Sequence, residues 1–110
     1  MNAEIIIWNE CINDNSRIHL YWDERVGQWC AFGISAFGVA LWLKDNGIKG
    51  NSHYSEEMCM PVTLLALSKL MSLAQNAADI EEMTGTYVRL KMAHGIDIEV
   101  YSVWACRLKG

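Results

Sequence analysis

The stretch VGQWCAFGISAFGVALWL, residues 26–43, decides the fold, because its eighteen residues include no charged side chain. Such a stretch must be buried, since each Å² of apolar surface removed from water is worth roughly 25 cal/mol. Its first part, residues 28–33, predicts a strand. Its second part predicts a helix between Ala36 and Lys44, with Ser35 as the N-cap. This helix is apolar on nearly every side, which predicts a place at the centre of the core.

The same stretch has the length of a short membrane span, so its composition must decide between lipid and protein surroundings. It contains three glycines together with Gln28 and Ser35, and the charged residues Arg25 and Lys44 flank it. The alternating pattern upstream leads into a turn, as expected for strands. We therefore expect burial in a folded domain and no membrane partner.

The composition predicts a single globular domain over residues 1–110. Hydrophobic residues make up 52% of the chain and charged residues 20%, which excludes a disordered protein. The net charge of -4 disfavours duplex nucleic acid as a partner, since that partner usually requires a basic surface. The first residues lack the basic and apolar segments of a secretion signal, so we expect a cytoplasmic protein.

Four cysteines, Cys11, Cys30, Cys59 and Cys106, lie far apart in the sequence. None forms a C-x-x-C pair, and no cysteine and histidine have zinc-finger spacing, so we expect no metal site and no cofactor. The simplest interpretation is that all four are reduced, buried thiols that pack as small hydrophobic side chains.

The remaining segments predict a sheet and a second helix. β-Branched and aromatic runs, or alternation of apolar and polar residues, predict strands over 3–12, 17–23, 86–92 and 96–106, and an edge strand at 58–62. Thr63 is the predicted cap of a helix from Leu64 to Ala77. The polar segments 46–55 and 79–85 are predicted loops.

The resulting order, β-β-β-α-β-α-β-β, is typical of an α+β domain. We expect a mainly antiparallel sheet of about five to six strands, with both helices packed on one face. The last two alternating runs predict a β-hairpin. The other face would be exposed, and its candidate binding residues are His19, Tyr21, Tyr87, Arg89 and Tyr101. The alternative is a solvated surface with cross-strand charge pairs, because exposed sheet faces have this composition without any partner.

Two groups of residues are candidates for catalysis. Ser35 lies in GISAFG, residues 33–38, at the position where a hydrolase nucleophile elbow carries its serine, although the second glycine is one position late. The same helix start offers free backbone N–H groups to a small anion. His53 and Cys59 are close in sequence, and His94 lies in the predicted hairpin turn. A solvated histidine and a core cysteine are the simpler interpretation, because proximity in sequence does not fix geometry.

The apolar surplus of the two helices predicts self-association. The segments from Ala36 to Lys44 and from Leu64 to Ala77 have almost no polar face, so we expect a homodimer or a complex with another protein. The sequence favours a small binding or regulatory protein without its own catalysis, whose functional surface is either the tyrosine-bearing face of the sheet or the loop 46–55. The alternatives are a small Cys/Ser–His hydrolase or transferase, and a weak single-stranded nucleic-acid binder that stacks bases on its tyrosines.

Overall fold

The computed structural model describes residues 2–110, which form one six-stranded antiparallel sheet and four α-helices. The helices are α1 (Ala3–Cys11), α2 (Gly33–Asp45), α3 (Leu70–Gln75) and α4 (Ile98–Lys109). The strands are β1 (Arg17–Asp23), β2 (Gln28–Phe32), β3 (Ser52–Ser55), β4 (Met60–Ala66), β5 (Asp79–Met83) and β6 (Tyr87–Lys91). Their order in the sheet is β3-β4-β2-β1-β6-β5. The predicted α+β class is confirmed, with four helices in place of two.

The main core lies between one face of the sheet and the helices α2 and α3. β1 alternates as predicted and directs Ile18 and Leu20 into this core. The helix predicted from the uncharged stretch, α2, packs over the centre of the sheet and buries Val39 and Leu43. α4 lies beside α2, where the ring of Trp104 is 5.0 Å from that of Phe37.

The opposite face of the sheet is covered by α1, so the prediction that it faces solvent is wrong for its central part. Ile6 of α1 packs into a second cluster with Tyr21, Cys30 and Phe32. As a result Tyr21 is only 6% exposed. The helices therefore do not all lie on one face, because three of them cover the main core and α1 covers the other side.

The N-terminal segment is a helix, which corrects the predicted strand over residues 3–12. Asn2 caps it, since its Oδ1 accepts hydrogen bonds from the backbone N–H groups of Glu4 at 2.9 Å and Ile5 at 3.3 Å. Strand propensity is a weak preference that depends on packing. Within this segment the helix buries only Ile6. A single face of a helix can do this, so burial does not require the alternating pattern of a strand.

The C-terminal segment is also a helix, so the predicted hairpin of residues 86–92 with 96–106 is wrong. Asp97 caps α4 by accepting hydrogen bonds from the N–H groups of Glu99 and Val100. The partly buried side chains recur at helical spacing, at Tyr101, Trp104, Ala105 and Leu108. The hairpin partner of β6 is instead β5, which lies in the predicted loop 79–85.

The middle of the chain departs from prediction in a similar way. Residues 64–77 are not one helix, because β4 continues to Ala66 and α3 begins at Leu70. Thr63, the predicted cap, is buried in β4 and donates a hydrogen bond to the carbonyl of Ala36 at 2.9 Å. β4 lies between β2 and β3, and the edge strand β3 comes from the predicted loop 46–55. Pairing with β2 and β3 satisfies the backbone hydrogen-bonding groups of β4 on both sides. The apolar pattern of this segment suits a helix as well as a strand, so the pairing decides which one forms.

α2 begins at Gly33, earlier than predicted, and its N-cap is Phe32. Ser35 therefore lies inside the first turn of the helix instead of at its cap. No helix within residues 2–110 combines the length and the apolar character needed to cross a membrane.

Candidate functional site

A groove of about 910 Å³ opens between α1 and the end of the sheet where β1 pairs with β6. Its walls include Ile5 and Asn9 from α1, Tyr21 from β1, and Tyr87 and Arg89 from β6. We call it the tyrosine groove. Its volume lies within the range of about 300–1,000 Å³ that is usual for ligand sites. Of the five candidate binding residues, Tyr21, Tyr87 and Arg89 thus line the same groove.

The two tyrosines form a fixed aromatic wall. Tyr21 and Tyr87 are directly paired in the sheet, and their ring centroids are 5.4 Å apart. The side-chain amide of Asn9 donates a hydrogen bond to the Tyr21 hydroxyl at 2.9 Å, which ties α1 to this wall. Burial raises the pKa of both phenols, so both remain protonated at neutral pH.

His19 lies behind Tyr87 and supports it. The Nδ1 atom of His19 and the hydroxyl of Tyr87 share a hydrogen bond of 2.6 Å, and the two rings are stacked. Burial, with a further contribution from the positive charges of Arg89 and Arg17, lowers the pKa of His19 to about 4. The imidazole is therefore neutral at pH 7, and its role is to hold Tyr87 in position.

Arg89 is held by carboxylates on the neighbouring strand. Its Nε donates to Glu81 Oε1 at 3.2 Å, and Arg17 makes two hydrogen bonds of 3.1 Å to the two oxygens of the same carboxylate. The hydrogen bond from Arg17 is the largest influence that lowers the pKa of Glu81. This cluster links β1, β6 and β5, and it fixes the direction in which Arg89 approaches the groove.

Tyr101 does not belong to this site. It lies on α4, where its ring centroid is 6.0 Å from that of Phe37 on the main-core side of the sheet. The alternation that placed it on the same face as Tyr21 reflects a helix, not a strand. Tyr21, Tyr87 and Tyr101 consequently do not form the continuous platform on which a single-stranded nucleic acid would stack.

The start of α2, whose free backbone N–H groups could hold a small anion, binds the carboxylate of Glu10 from α1. The backbone N–H of Ser35 donates to Glu10 Oε1 at 3.1 Å, and the Ser35 hydroxyl donates to Oε2 at 2.7 Å. The same hydroxyl accepts a hydrogen bond from the backbone N–H of His19 at 2.9 Å. Burial raises the pKa of Glu10 to about 7, although the hydrogen bonds from Ser35 act in the opposite direction.

Ser35 is poorly placed to act as a nucleophile. Its relative exposure is 0%, so a substrate would have no access to it. Its hydroxyl also already donates to Glu10 and accepts from the backbone of His19. The Ser–His arrangement considered above needs an imidazole within hydrogen-bond reach of the serine, and in residues 2–110 the Ser35 hydroxyl is bonded to the Glu10 carboxylate instead.

The remaining catalytic candidates are scattered over the surface. Cys59 is exposed in the turn between β3 and β4, and its thiol donates to the Glu56 carbonyl at 3.4 Å. His53 is exposed on β3, and His94 is exposed in the segment after β6. No hydrogen bond within residues 2–110 joins either imidazole to Cys59 or Ser35. The described part of the chain also contains no group of three or more His, Cys, Asp or Glu side chains that could hold a metal ion.

The prediction that all four cysteines are buried is wrong. All four are free thiols, but only Cys30 is buried, while Cys11, Cys59 and Cys106 are exposed. Burial raises the pKa of the Cys30 thiol to about 11, so it is protonated and unreactive at neutral pH. The exposed thiols lie on the surface helices α1 and α4 and in a turn, elements that sequence patterns had assigned to strands.

The wall formed by α1 was missed by the sequence analysis, because residues 3–12 were assigned to a strand. The signal that could have identified it is Asn2, a good N-cap residue, followed by Glu4 in the first turn. A helix starting there would have placed Ile5 and Asn9 one turn apart on one face.

Comparison with known proteins adds no information about this site, since no protein family, curated protein or solved structure matches the chain.

Proposed function

We propose that the protein is a small binding module without its own catalysis, and that it holds a segment of a partner protein in the tyrosine groove. The observation that carries this proposal is the position of Tyr21, Tyr87 and Arg89 along one open groove. Tyrosine and arginine are enriched at protein interfaces. Tyr87 is partly exposed and offers a partner contact area with little loss of side-chain entropy, while Tyr21, at 6% exposure, supports it from behind.

The organisation of the walls supports binding with little rearrangement. Tyr21 is tied to Asn9, Tyr87 to His19, and Arg89 to Glu81, each by a hydrogen bond of 3.2 Å or less. Ordering side chains on binding costs about 0.5–1.5 kcal/mol for each flexible residue. Because these side chains are already ordered in the free protein, the groove avoids much of that cost.

The four free thiols support a reducing compartment, and we therefore place the module in the cytoplasm.

Self-association is a separate part of the proposal. α2 and α3 bury apolar residues such as Val39 and Leu73 within the chain, so they present less apolar surface than expected. Leu41 on α2 and Met71 on α3 remain exposed, but Trp8 on α1 and Ile12 directly after this helix are more exposed, at 64% and 59%. We therefore place the contact with a second copy at this end of α1.

The proposed binding site can be tested with peptides from a phage-displayed library of random 12-residue sequences, selected on the full chain. The affinities of the selected peptides are then measured by fluorescence anisotropy for Ile5→Ser and Ile7→Ser. Both residues are exposed on α1, but Ile5 lines the tyrosine groove and Ile7 does not. We expect at least a tenfold loss of affinity for Ile5→Ser and a change below twofold for Ile7→Ser.

The proposal would be overturned if no peptide binds with a dissociation constant below about 100 μM, or if the two variants bind as the unmodified protein does.

For self-association, sedimentation equilibrium at micromolar concentration should show a dimer that Trp8→Ser weakens. A species of 12.5 kDa at all concentrations would contradict that part of the proposal and leave the groove unaffected.

A further inference from the structure

A second cavity, of about 270 Å³, lies on the other side of α1. We call it the side cavity. Its floor is apolar and is formed by Ile6, Cys30, Phe32, Met58, Val62 and Leu64, while His53 and Ser55 of β3 also line the cavity. Three charged residues at its mouth, Asp23, Arg25 and Glu57, also line the tyrosine groove, so the two spaces adjoin at the N-terminal end of α1.

We infer that the side cavity is the specificity pocket of the tyrosine groove, and that it receives one large apolar side chain from a basic partner segment. This inference rests on the proposed function, because it assigns the partner class of the same site. The main chain of the segment would lie along the tyrosine groove, and its anchor side chain would turn past Asp23 and Glu57 into the side cavity.

The size and lining of the side cavity determine the kind of anchor. A volume of about 270 Å³ lies slightly below the range of about 300–1,000 Å³ for sites that enclose a whole drug-sized ligand. It suits a single leucine, methionine or phenylalanine side chain. Full burial of such a side chain strengthens binding by roughly 10- to 100-fold. Anchors of this kind, in a pocket beside a polar rim, are typical of interface hot spots.

The charged residues of the tyrosine groove determine which charge is expected on the rest of the partner segment. Glu24 and Glu57 line the tyrosine groove, and neither takes part in an ion pair within residues 2–110. The two arginines of the groove are already compensated, since Arg25 pairs with Asp23, and Arg89 pairs with Glu81 and Glu82. The groove therefore presents uncompensated negative charge, which favours lysine or arginine in the partner segment.

The test uses the peptides selected on the full chain, with two variants at one position. Ala3 lines the side cavity and is exposed, so Ala3→Trp fills the cavity from the side of α1, and Ala3→Ser is the matched small substitution. We expect the selected peptides to share one apolar anchor and to be basic. Replacement of the peptide's anchor residue by alanine should lower affinity at least tenfold, and so should Ala3→Trp in the protein. These two losses should not add, because both changes remove the same contact. The affinity of Ala3→Ser should lie within twofold of that of the unmodified protein.

Additive losses, acidic peptides, or peptides without a common anchor would overturn the inference. The proposed function would still stand in that case if Ile5→Ser weakens binding. Should Ala3→Trp fail to fold, the unmodified protein can be titrated with a selected peptide and with the same peptide carrying alanine at the anchor. The Met58 and Leu64 methyl resonances should shift with the first peptide and not with the second, and equal shifts, or no shift with either peptide, would overturn the inference.

Discussion

Glu10 on α1 and Ser35 on α2 join the two helices through a pair of hydrogen bonds, 2.7 Å from the serine hydroxyl and 3.1 Å from its backbone N–H. α2 has no side-chain cap of its own, so a carboxylate from another helix takes that place. The positive end of the helix dipole favours an anion at this position. Glu10 nevertheless forms no ion pair within residues 2–110, and burial opposes its charge.

The first prediction concerns the pH dependence of stability that Glu10 produces. The folded protein holds a proton on Glu10 up to a pKa of about 7, whereas the unfolded chain releases it near the ordinary value of 4.5. The stabilisation is therefore fully present below pH 4.5 and is lost as the pH rises through 7. Relative to Glu10→Gln, we expect the free energy of unfolding to fall by about 2 kcal/mol between pH 5 and pH 8.

Urea denaturation of both proteins across this pH range provides the measurement, and the comparison with Glu10→Gln removes the contributions of other groups, such as His19. Parallel pH profiles for the two proteins would show that Glu10 titrates normally in the folded state.

A second prediction concerns the attachment of α1 to the sheet. Ile6 is 2% exposed, and its neighbour Ile7 is 41% exposed. Truncation of a buried isoleucine to alanine usually costs 2–5 kcal/mol. We expect Ile6→Ala to lower the free energy of unfolding by about 2 kcal/mol and Ile7→Ala by less than about 0.5 kcal/mol.

The rate of alkylation of Cys30 gives a local measurement of the same effect, in a background where Cys11, Cys59 and Cys106 are replaced by serine. Cys30 lies in the cluster that Ile6 covers, so Ile6→Ala should accelerate alkylation and Ile7→Ala should not. Equal rates in the two variants would mean that α1 does not protect this face.

A third prediction concerns the glycine at the start of α2. Gly33 has a φ of +59°, and an added Cβ would lie 3.3 Å from the side chain of Glu10. Both the backbone conformation and the contact disfavour any other residue. Gly33→Ala should therefore destabilise the protein by about 1–3 kcal/mol, as measured by thermal or urea denaturation.

Gly85 is the matched control for this substitution, because an added Cβ there meets no atom within 4 Å and no positive φ is imposed. Gly85→Ala should change stability by less than about 0.5 kcal/mol. A similar loss for both variants would mean that neither the positive φ of Gly33 nor its contact with Glu10 is the cause.

Several elements were predictable because local periodicity and burial agree. β1 and β6 alternate cleanly, and their apolar positions lie in the main core as the pattern indicates. The apolar helix α2 was also predicted, apart from its first residues. For the candidate site, alternation along the strands indicated five candidate binding residues on one face of the sheet, and the structure places Tyr21, Tyr87 and Arg89 of these along one groove.

The sequence by itself determined the α+β class and the burial of the uncharged stretch, because periodicity and hydrophobicity are local properties of the chain. Only the tertiary structure decided that the terminal segments are helices, since short β-branched runs suit either period until one face finds a packing partner. It also decided the groove. Tyr21 and Tyr87 are far apart in the chain and meet because β1 pairs with β6. The wall that encloses them exists because Asn9 and Ile6 hold α1 against the sheet and Glu10 holds it to the start of α2.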